Sequence, residues 1–401
     1  MAASPPPAID IESLGLDQGA LLLIRRALAE RPVGGELRVR GTAPAWELHL
    51  EAWCRSQGHP LRFEQDDQGM TLARITRSPH AEGRWRGAQP TGHAIGGTEA
   101  DALPGWGLAA RGATVEAGSP DFFFSLHQRH ELWAATAGEL YAQAAAAQWD
   151  PATAIDWAAP FELPPAIEAA VVQVMTYLIE NENAALLVPA RHLGQIHPHF
   201  REVLQLLALQ CADEARHIEV FTRRATLRGH EPALSTAGGQ ASLRTLFEAP
   251  DFSIATFLLA VLGEGSFVNL LNFLQAHAPD PVTRQIARLA ARDEARHVAF
   301  GMAHLEYRLS VQPEFQARLR NAIELRYDAL ATTAGLNEEV FDALVLLAAG
   351  ALSPAAVARG HAAVQQLQRD MAAGRRARLA RLGFERAEAE RLSELHTRNF
   401  M

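Results

Sequence analysis

At 401 residues the chain is longer than one compact domain needs, and its 48% hydrophobic content supplies large cores and excludes a disordered chain. Acidic residues (46) outnumber basic ones (37) for a net charge of −9, which argues against nucleic acid as a partner, because phosphate binding needs a positive face. Two cysteines far apart in sequence, Cys54 and Cys211, make no disulfide framework and point to a reducing, cytoplasmic setting. The stretch from Met1 to Pro7 carries no basic-then-apolar signal. The longest apolar runs, Ala255 to Leu262 and Ala343 to Ala349, fall short of a membrane span, so no membrane partner is expected.

In chain order, the first 76 residues alternate strand and helix signals, which predicts a small α/β unit. Ala8 to Ile11 and Glu36 to Arg40 alternate as strands. Gly19 to Glu30 and Ala45 to Gln57 have helical spacing. Leu61 to Phe63 and Met70 to Ile75 are two further strands. Residues 77–125 are rich in Gly, Pro and Ala and read as a connector; Trp85 and Trp106 suggest that it packs down. From 126 to 310 the periodicity is helical: one helix from Leu132 to Gln148, then four long ones, Pro165 to Leu193, Pro198 to Gly229, Ser253 to His277 and Pro281 to Ser310. Residues 311–401 form a helical extension, roughly Gln312 to Thr333, Asn337 to Leu352 and Pro354 to the end. Its last helix is studded with Arg and Glu and is expected to be solvated or to face a partner.

The chemistry lies in a repeat. Asp213-Glu214-Ala215-Arg216-His217 recurs as Asp293-Glu294-Ala295-Arg296-His297. Each copy sets a Glu and a His at i and i+3, one turn apart on one helical face, where a carboxylate and an imidazole can grip the same metal ion. Leu207, Cys211, Ile218 and Phe221 share the face of Glu214; Ile286, Ala287, Ala290, Ala291 and Val298 lie around that of Glu294. Acidic groups in an apolar seam are costly without a compensating cation. Glu264 is the only carboxylate between Asp251 and Asp280, thirty residues before Glu294. The helix from Pro165 offers Glu180 and Glu182, about 200° apart around the axis, so one of the two reaches the core. Glu182 shares its stripe with Met175, Leu178 and Ala185, which favours it. Glu180, nearer the middle of the hairpin opposite Glu214, stays an alternative.

The expected catalytic and metal set is therefore Glu182 (or Glu180), Glu214, His217, Glu264, Glu294 and His297. Four carboxylates and two imidazoles suit two iron ions, with manganese admitted. Asp213 and Asp293 are expected to accept the second N–H of each histidine across the bundle, and Arg216 and Arg296 to hold those aspartates. His192, His197 and His199, near a turn, are expected to be caps or surface residues. Phe221, Phe257, Phe267 and Phe300 are candidate cavity walls.

Two family resemblances follow from these residues. Gly15-Leu16, Arg25-Arg26-Ala27-Leu28 and Trp53-Cys54-Arg55-Ser56-Gln57-Gly58-His59 resemble the TusA/SirA-like sulfur-carrier fold across residues 8–76. That family opens its first helix with Cys-Pro-x-Pro, where this chain reads Asp17-Gln18-Gly19-Ala20. The resemblance thus implies a unit without sulfur chemistry, serving docking, dimerisation or regulation. The repeated pentapeptide and Gly263-Glu264-Gly265-Ser266-Phe267-Val268-Asn269 resemble the ferritin-like diiron carboxylate superfamily across about 130–310, and Trp149-Asp150-Pro151 with Asp156-Trp157 resembles the loop before the bundle in diiron arylamine N-oxygenases.

That resemblance implies a ferritin-like four-helix bundle using two iron ions and dioxygen to oxidise a small organic substrate by hydroxylation, N-oxygenation or oxidase chemistry. An external reductase would supply electrons, and a second copy of the chain is a candidate partner. Phe221 stands where the ribonucleotide reductase small subunit keeps its radical tyrosine, Ala290 where the N-oxygenases carry an extra His, and Val268 where bacterial monooxygenases have a Thr. Alternatives from other classes are ferritin-like metal storage or detoxification, a manganese-dependent redox protein, and a non-redox interaction protein.

Overall fold

The computed structural model describes residues 7–79, 87–95, 97–331 and 338–396. Trp85 and the last five residues lie outside that range. The chain divides into two compact units: 1–91 with 112–120, and 92–111 with 121–401. The stretch expected as a single connector, 77–125, is thus shared between the two units.

In the first unit, strand β1 (Ala8–Asp10) runs parallel to β2 (Glu36–Arg40) through the crossover helix α1 (Ala20–Ala29). After α2 (Trp46–Gln57), strands β3 (Leu61–Gln65) and β4 (Thr71–Thr76) pair antiparallel, and β4 also pairs with β2, giving the order β1-β2-β4-β3. The alternation read from sequence has its physical cause here. Leu37 and Val39 point to the buried face, while Ala20, Ile24 and Leu28 on α1, and Trp46, Leu50 and Cys54 on α2, repeat every four residues against it. Gly58, at φ 68°, closes α2 in the left-handed conformation that glycine tolerates. Cys54 is buried, and burial pushes its thiol up to about 12, so it stays protonated and unreactive. A short pair, β5 (Gln89–Pro90) with β6 (Thr114–Val115), completes this unit.

The second unit is helical. The single helix expected over Leu132 to Gln148 is broken into α3 (Arg129–Leu132) and α4 (Ala137–Ala146). Trp133 is extended, and its carbonyl bonds the buried His304 ring at 3.1 Å in place of a helical N–H. Four long elements then form the bundle: α5 (Pro165–Leu193), α6 (Arg201–Thr226), a composite helix, and α10 (Pro281–Val311). Proline at the first helical position opens both α5 and α10, and Asp280 caps α10 by accepting from the Thr283 N–H at 2.8 Å. Between α6 and the composite helix lies α7 (Ala237–Phe247), capped by Thr236. The pattern did not reveal it because Gly238-Gly239 masks its helical signal.

The composite helix is α8 (Phe252–Thr256), a π-helical segment (Phe257–Glu264) and α9 (Gly265–His277). Taken whole, Phe252–His277 is long and apolar enough to cross a membrane, which the shorter runs read from sequence did not show. Its most apolar window is 83% buried inside the protein, as a bundle's central helix would be. The C-terminal helices α11 (Phe315–Leu330), α12 (Glu338–Ala349), α13 (Pro354–Arg381) and α14 (Arg386–His396) do not stand apart from the bundle. Leu319, Leu344, Val364 and Leu379 belong to the same apolar core as Val171, Leu178, Val220 and Leu262. The arginine-rich α13 is correspondingly not all solvated: Arg375 is 1% exposed and donates to Ser266 at 3.2 Å.

Candidate metal centre

Each element of the bundle delivers one or two acidic or imidazole groups to a single buried place. α5 brings Glu182, α6 brings Glu214 and His217, the last π-helical residue is Glu264, and α10 brings Glu294 and His297. All six are nearly inaccessible. Their donor atoms fall into two overlapping groups: Glu182, Glu214, His217 and Glu294, and Glu214, Glu264, Glu294 and His297. Within each group the atoms lie inside 4.8 Å of one another. Glu180 is half-buried and joins neither group, so the side with the more apolar stripe carries the inward carboxylate.

The sharing has a definite geometry. Glu214 presents Oε2 to His217 Nδ1 at 3.1 Å and Oε1 to His297 Nδ1 at 3.0 Å. Glu294 presents Oε1 to His217 Nδ1 at 3.4 Å and Oε2 to His297 Nδ1 at 3.5 Å. Both shared carboxylates therefore turn one oxygen toward each histidine, as bridging ligands of a metal pair would. Glu182 belongs to the first group alone, with Oε1 3.5 Å from His217 Nδ1, and Glu264 to the second alone.

The far nitrogens of the histidines are fixed across the bundle. His217 Nε2 lies 3.2 Å from Asp293 Oδ2, and His297 Nε2 lies 3.3 Å from Asp213 Oδ2. Each aspartate thus accepts from the histidine of the other repeat. Arg216 donates to Asp213 and, at 3.1 Å, to Asp293; Arg296 donates to Asp293. Two further partners were not anticipated from sequence. Gln148 Nε2 donates to Asp213 at 2.9 Å and Trp149 Nε1 to Asp293 at 2.8 Å, while Arg216 lies over the Trp149 ring. Gln148 was marked only by its place at the end of a helix before Asp150-Pro151, and Trp149 by the loop resemblance, which named no partner for it.

Without a cation this cluster is under electrostatic stress. Burial, then the neighbouring Glu214 and Glu294, push Glu182 well above the usual carboxylate range. Burial, then Glu294, does the same to Glu264. Burial would lower both histidines, but Glu182 opposite His217 and Glu214 opposite His297 outweigh it and hold them protonated. Burial would raise Glu214, but His297 and His217 outweigh it and keep that carboxylate ionised. Glu264 Oε2 is buried without a hydrogen-bond partner, and Glu182 Oε1, Glu214 Oε1, both Glu294 oxygens and His297 Nδ1, although as close as 3.0 Å to an oppositely charged neighbour, lie at angles that make no hydrogen bond. Orphaned buried donors and acceptors of this kind are rare in folded proteins unless something not drawn from the chain satisfies them. Two divalent ions would balance the four carboxylates, and they fit the donor set.

The surroundings are apolar. Phe221 lies 6.3 Å from the His217 ring. Phe300 lines a narrow cavity of about 20 Å3 together with Val188, Leu207, Gln210, Phe252 and Thr256. Phe257 and Phe267 are buried in the main core and do not line that cavity. Of the two roles expected for His192, His197 and His199, caps or surface residues, the surface one does not hold, since all three are buried. Trp106 packs 5.1 Å from His199, whose Nε2 accepts the Glu99 N–H at 2.9 Å. His197 is a cap as expected, accepting the His199 N–H at 3.1 Å.

No known family's sequence profile matches this chain, and comparison with curated proteins finds no match. Among solved structures, a variant of an R2-like ligand-binding oxidase, aerobically reconstituted with a Mn/Fe cofactor, superposes with a TM-score of 0.45 at 18% identity, covering 59% of this chain and 92% of that one. A Synechococcus-derived protein with aldehyde deformylating oxidase activity superposes with a TM-score of 0.41 at 20% identity, covering 57% of this chain and 96% of that one. Superpositions this loose carry no argument about chemistry; the donor set must do so.

Proposed function

We propose that this protein is a ferritin-like dimetal oxidoreductase that activates dioxygen at an iron pair or a manganese–iron pair and oxidises a small organic substrate. The observation that carries this reading is the overlap of the two donor groups through Glu214 and Glu294. One carboxylate per ion would suit a mononuclear site; two shared ones suit a pair.

The residues divide the work. Asp213 and Asp293 accept the Nε2–H of His297 and His217 and so leave each Nδ1 free to face the centre. Arg216 and Arg296 offset the aspartate charge, so the second layer adds little net field. Oxygen and imidazole donors favour iron or manganese over softer ions, and four donors per ion leave positions open in a six-coordinate preference. A ferrous pair held by these residues would supply the electrons for reducing dioxygen. The apolar walls around Phe221 and Phe300 keep bulk water from that reaction. Re-reduction between turnovers calls for an external electron donor. The first unit, with no thiol opening α1 and a buried Cys54, serves on this reading as a docking or regulatory module.

The test is metal analysis of protein from iron-supplemented cells, followed by oxygen uptake after anaerobic reduction. Two ions per chain and uptake stoichiometric with the pair are expected, and both should vanish in a Glu214→Ala, Glu294→Ala variant. Uptake of many irons as mineral would support storage instead, and a metal-free chain would remove the enzymatic reading.

A further inference from the structure

The two halves of the centre are related by a repeat of eighty residues, and one polar side chain breaks their equivalence. Gln210 lies one turn before Glu214 on α6; the residue in the matching place on α10, one turn before Glu294, is Ala290. Gln210 is 4% exposed and its Nε2 donates to Glu264 Oε1 at 3.2 Å. As a metal ligand Glu264 would be ionised and would only accept, so the N–H end of the amide is the one that must face it. With Oε1 tethered, Glu264 has Oε2 left, buried and without a hydrogen-bond partner. Glu182, the terminal carboxylate of the other group, receives no such amide among the described residues.

We propose that Gln210 is a positioning residue that makes the two metal positions inequivalent, holding Glu264 so that it meets its ion through Oε2 while Glu182 stays free to change its mode. The inference rests on the metal-centre reading above. Its physical basis is that a hydrogen bond to the far oxygen of a ligand carboxylate preorganises that ligand, and loss of such partners costs about 10–100-fold in metal affinity. On its other side Gln210 lines the small cavity with Thr256 and Phe300, and its Oε1 accepts no hydrogen bond among the described residues. The same amide therefore lies between a ligand of one ion and the adjoining space.

The test uses the full chain and cobalt(II) as a redox-stable probe, titrated by calorimetry and by visible absorption. Gln210→Met keeps the reach of the side chain and removes the N–H. The wild type should take up two cobalt ions in two steps. Gln210→Met should weaken one step about tenfold, shift the absorption of that ion alone, and leave the other step in place. In a Glu264→Ala background the same substitution should change nothing further, because the tethered group is gone. Thr256→Val, which alters the cavity wall but not the Gln210–Glu264 hydrogen bond, should behave as wild type. Equal weakening of both steps, an undiminished effect in the Glu264→Ala background, or no effect would overturn the role of Gln210 while leaving the metal pair intact. A wild type that binds no cobalt would overturn both readings.

Discussion

At the scale of single residues, the centre makes a prediction that separates shared from unshared ligands. Glu182→Ala or Glu264→Ala removes a donor from one group only, so each variant should retain about one ion per chain; Glu214→Ala or Glu294→Ala thins both groups and should retain fewer. Glu180→Ala should retain the full complement, since Glu180 joins neither group. Elemental analysis after desalting reads all five. The sign of the pH dependence follows from the buried histidines. Burial would lower them, but Glu182 and Glu214 hold His217 and His297 protonated in the ion-free protein. An ion needs a bare Nδ1, so binding displaces protons, and apparent affinity should rise with pH by about tenfold per unit for each proton displaced. Cobalt titrations at several pH values check this; an affinity indifferent to pH would mean that the histidines do not ligate. Much of this scale was legible in sequence because charge in an apolar stripe is conspicuous: Glu264 stands alone in its helix, and the pentapeptide is repeated. The hydrogen bonds of Gln148, Trp149 and Gln210 were not legible, because their partners lie on other elements and the loop resemblance that singled out Trp149 named no partner for it.

At the scale of elements, close approach of helices places the donor groups. Gly301 on α10 matches Phe221 on α6 in the repeat, but there the π segment comes so near that an added Cβ would meet Ala260 Cβ at 2.8 Å. Ala260 is one turn before Glu264, so Gly301→Val should push that carboxylate away. We expect about 1–3 kcal/mol of lost stability by denaturant unfolding, together with loss of one metal ion. A second device lies at the far end of the bundle, where fully buried Arg224 on α6 bonds Glu168 on α5 and Asp280 at the start of α10. Arg224→Leu strands two buried carboxylates and should cost about 3–5 kcal/mol, measured by urea unfolding of metal-free protein. A loss under about 1 kcal/mol would show that water reaches the cluster. Periodicity located α5, α6 and α10 well because each runs for many turns with one apolar stripe. It could not locate the π segment, since one extra residue per turn leaves an all-apolar run such as 257–262 unchanged in pattern. It also left His192, His197 and His199 as caps or surface residues and could not show their burial, because the strap bearing Trp106 that covers His197 and His199 arrives from a distant part of the sequence.

At the scale of the whole molecule, the bundle and the C-terminal helices share one core, whereas the sheet unit has its own. The strands and helices of that sheet unit were readable one by one from alternation. Its limits were not, because residues 112–120 return to it after an excursion into the helical unit, and no local composition records a return. The same interleaving means that a fragment ending at residue 91 would keep β5 and lose its partner strand β6. What binds the molecule to a function is the meeting of four bundle elements at one buried, over-acidic place. The most direct measurement is anomalous diffraction at the iron edge from crystals of iron-loaded protein. Two peaks per chain are predicted, one among Glu182, Glu214, His217 and Glu294 and one among Glu214, Glu264, Glu294 and His297. A single peak, or iron bound only elsewhere on the chain, would contradict a dimetal centre.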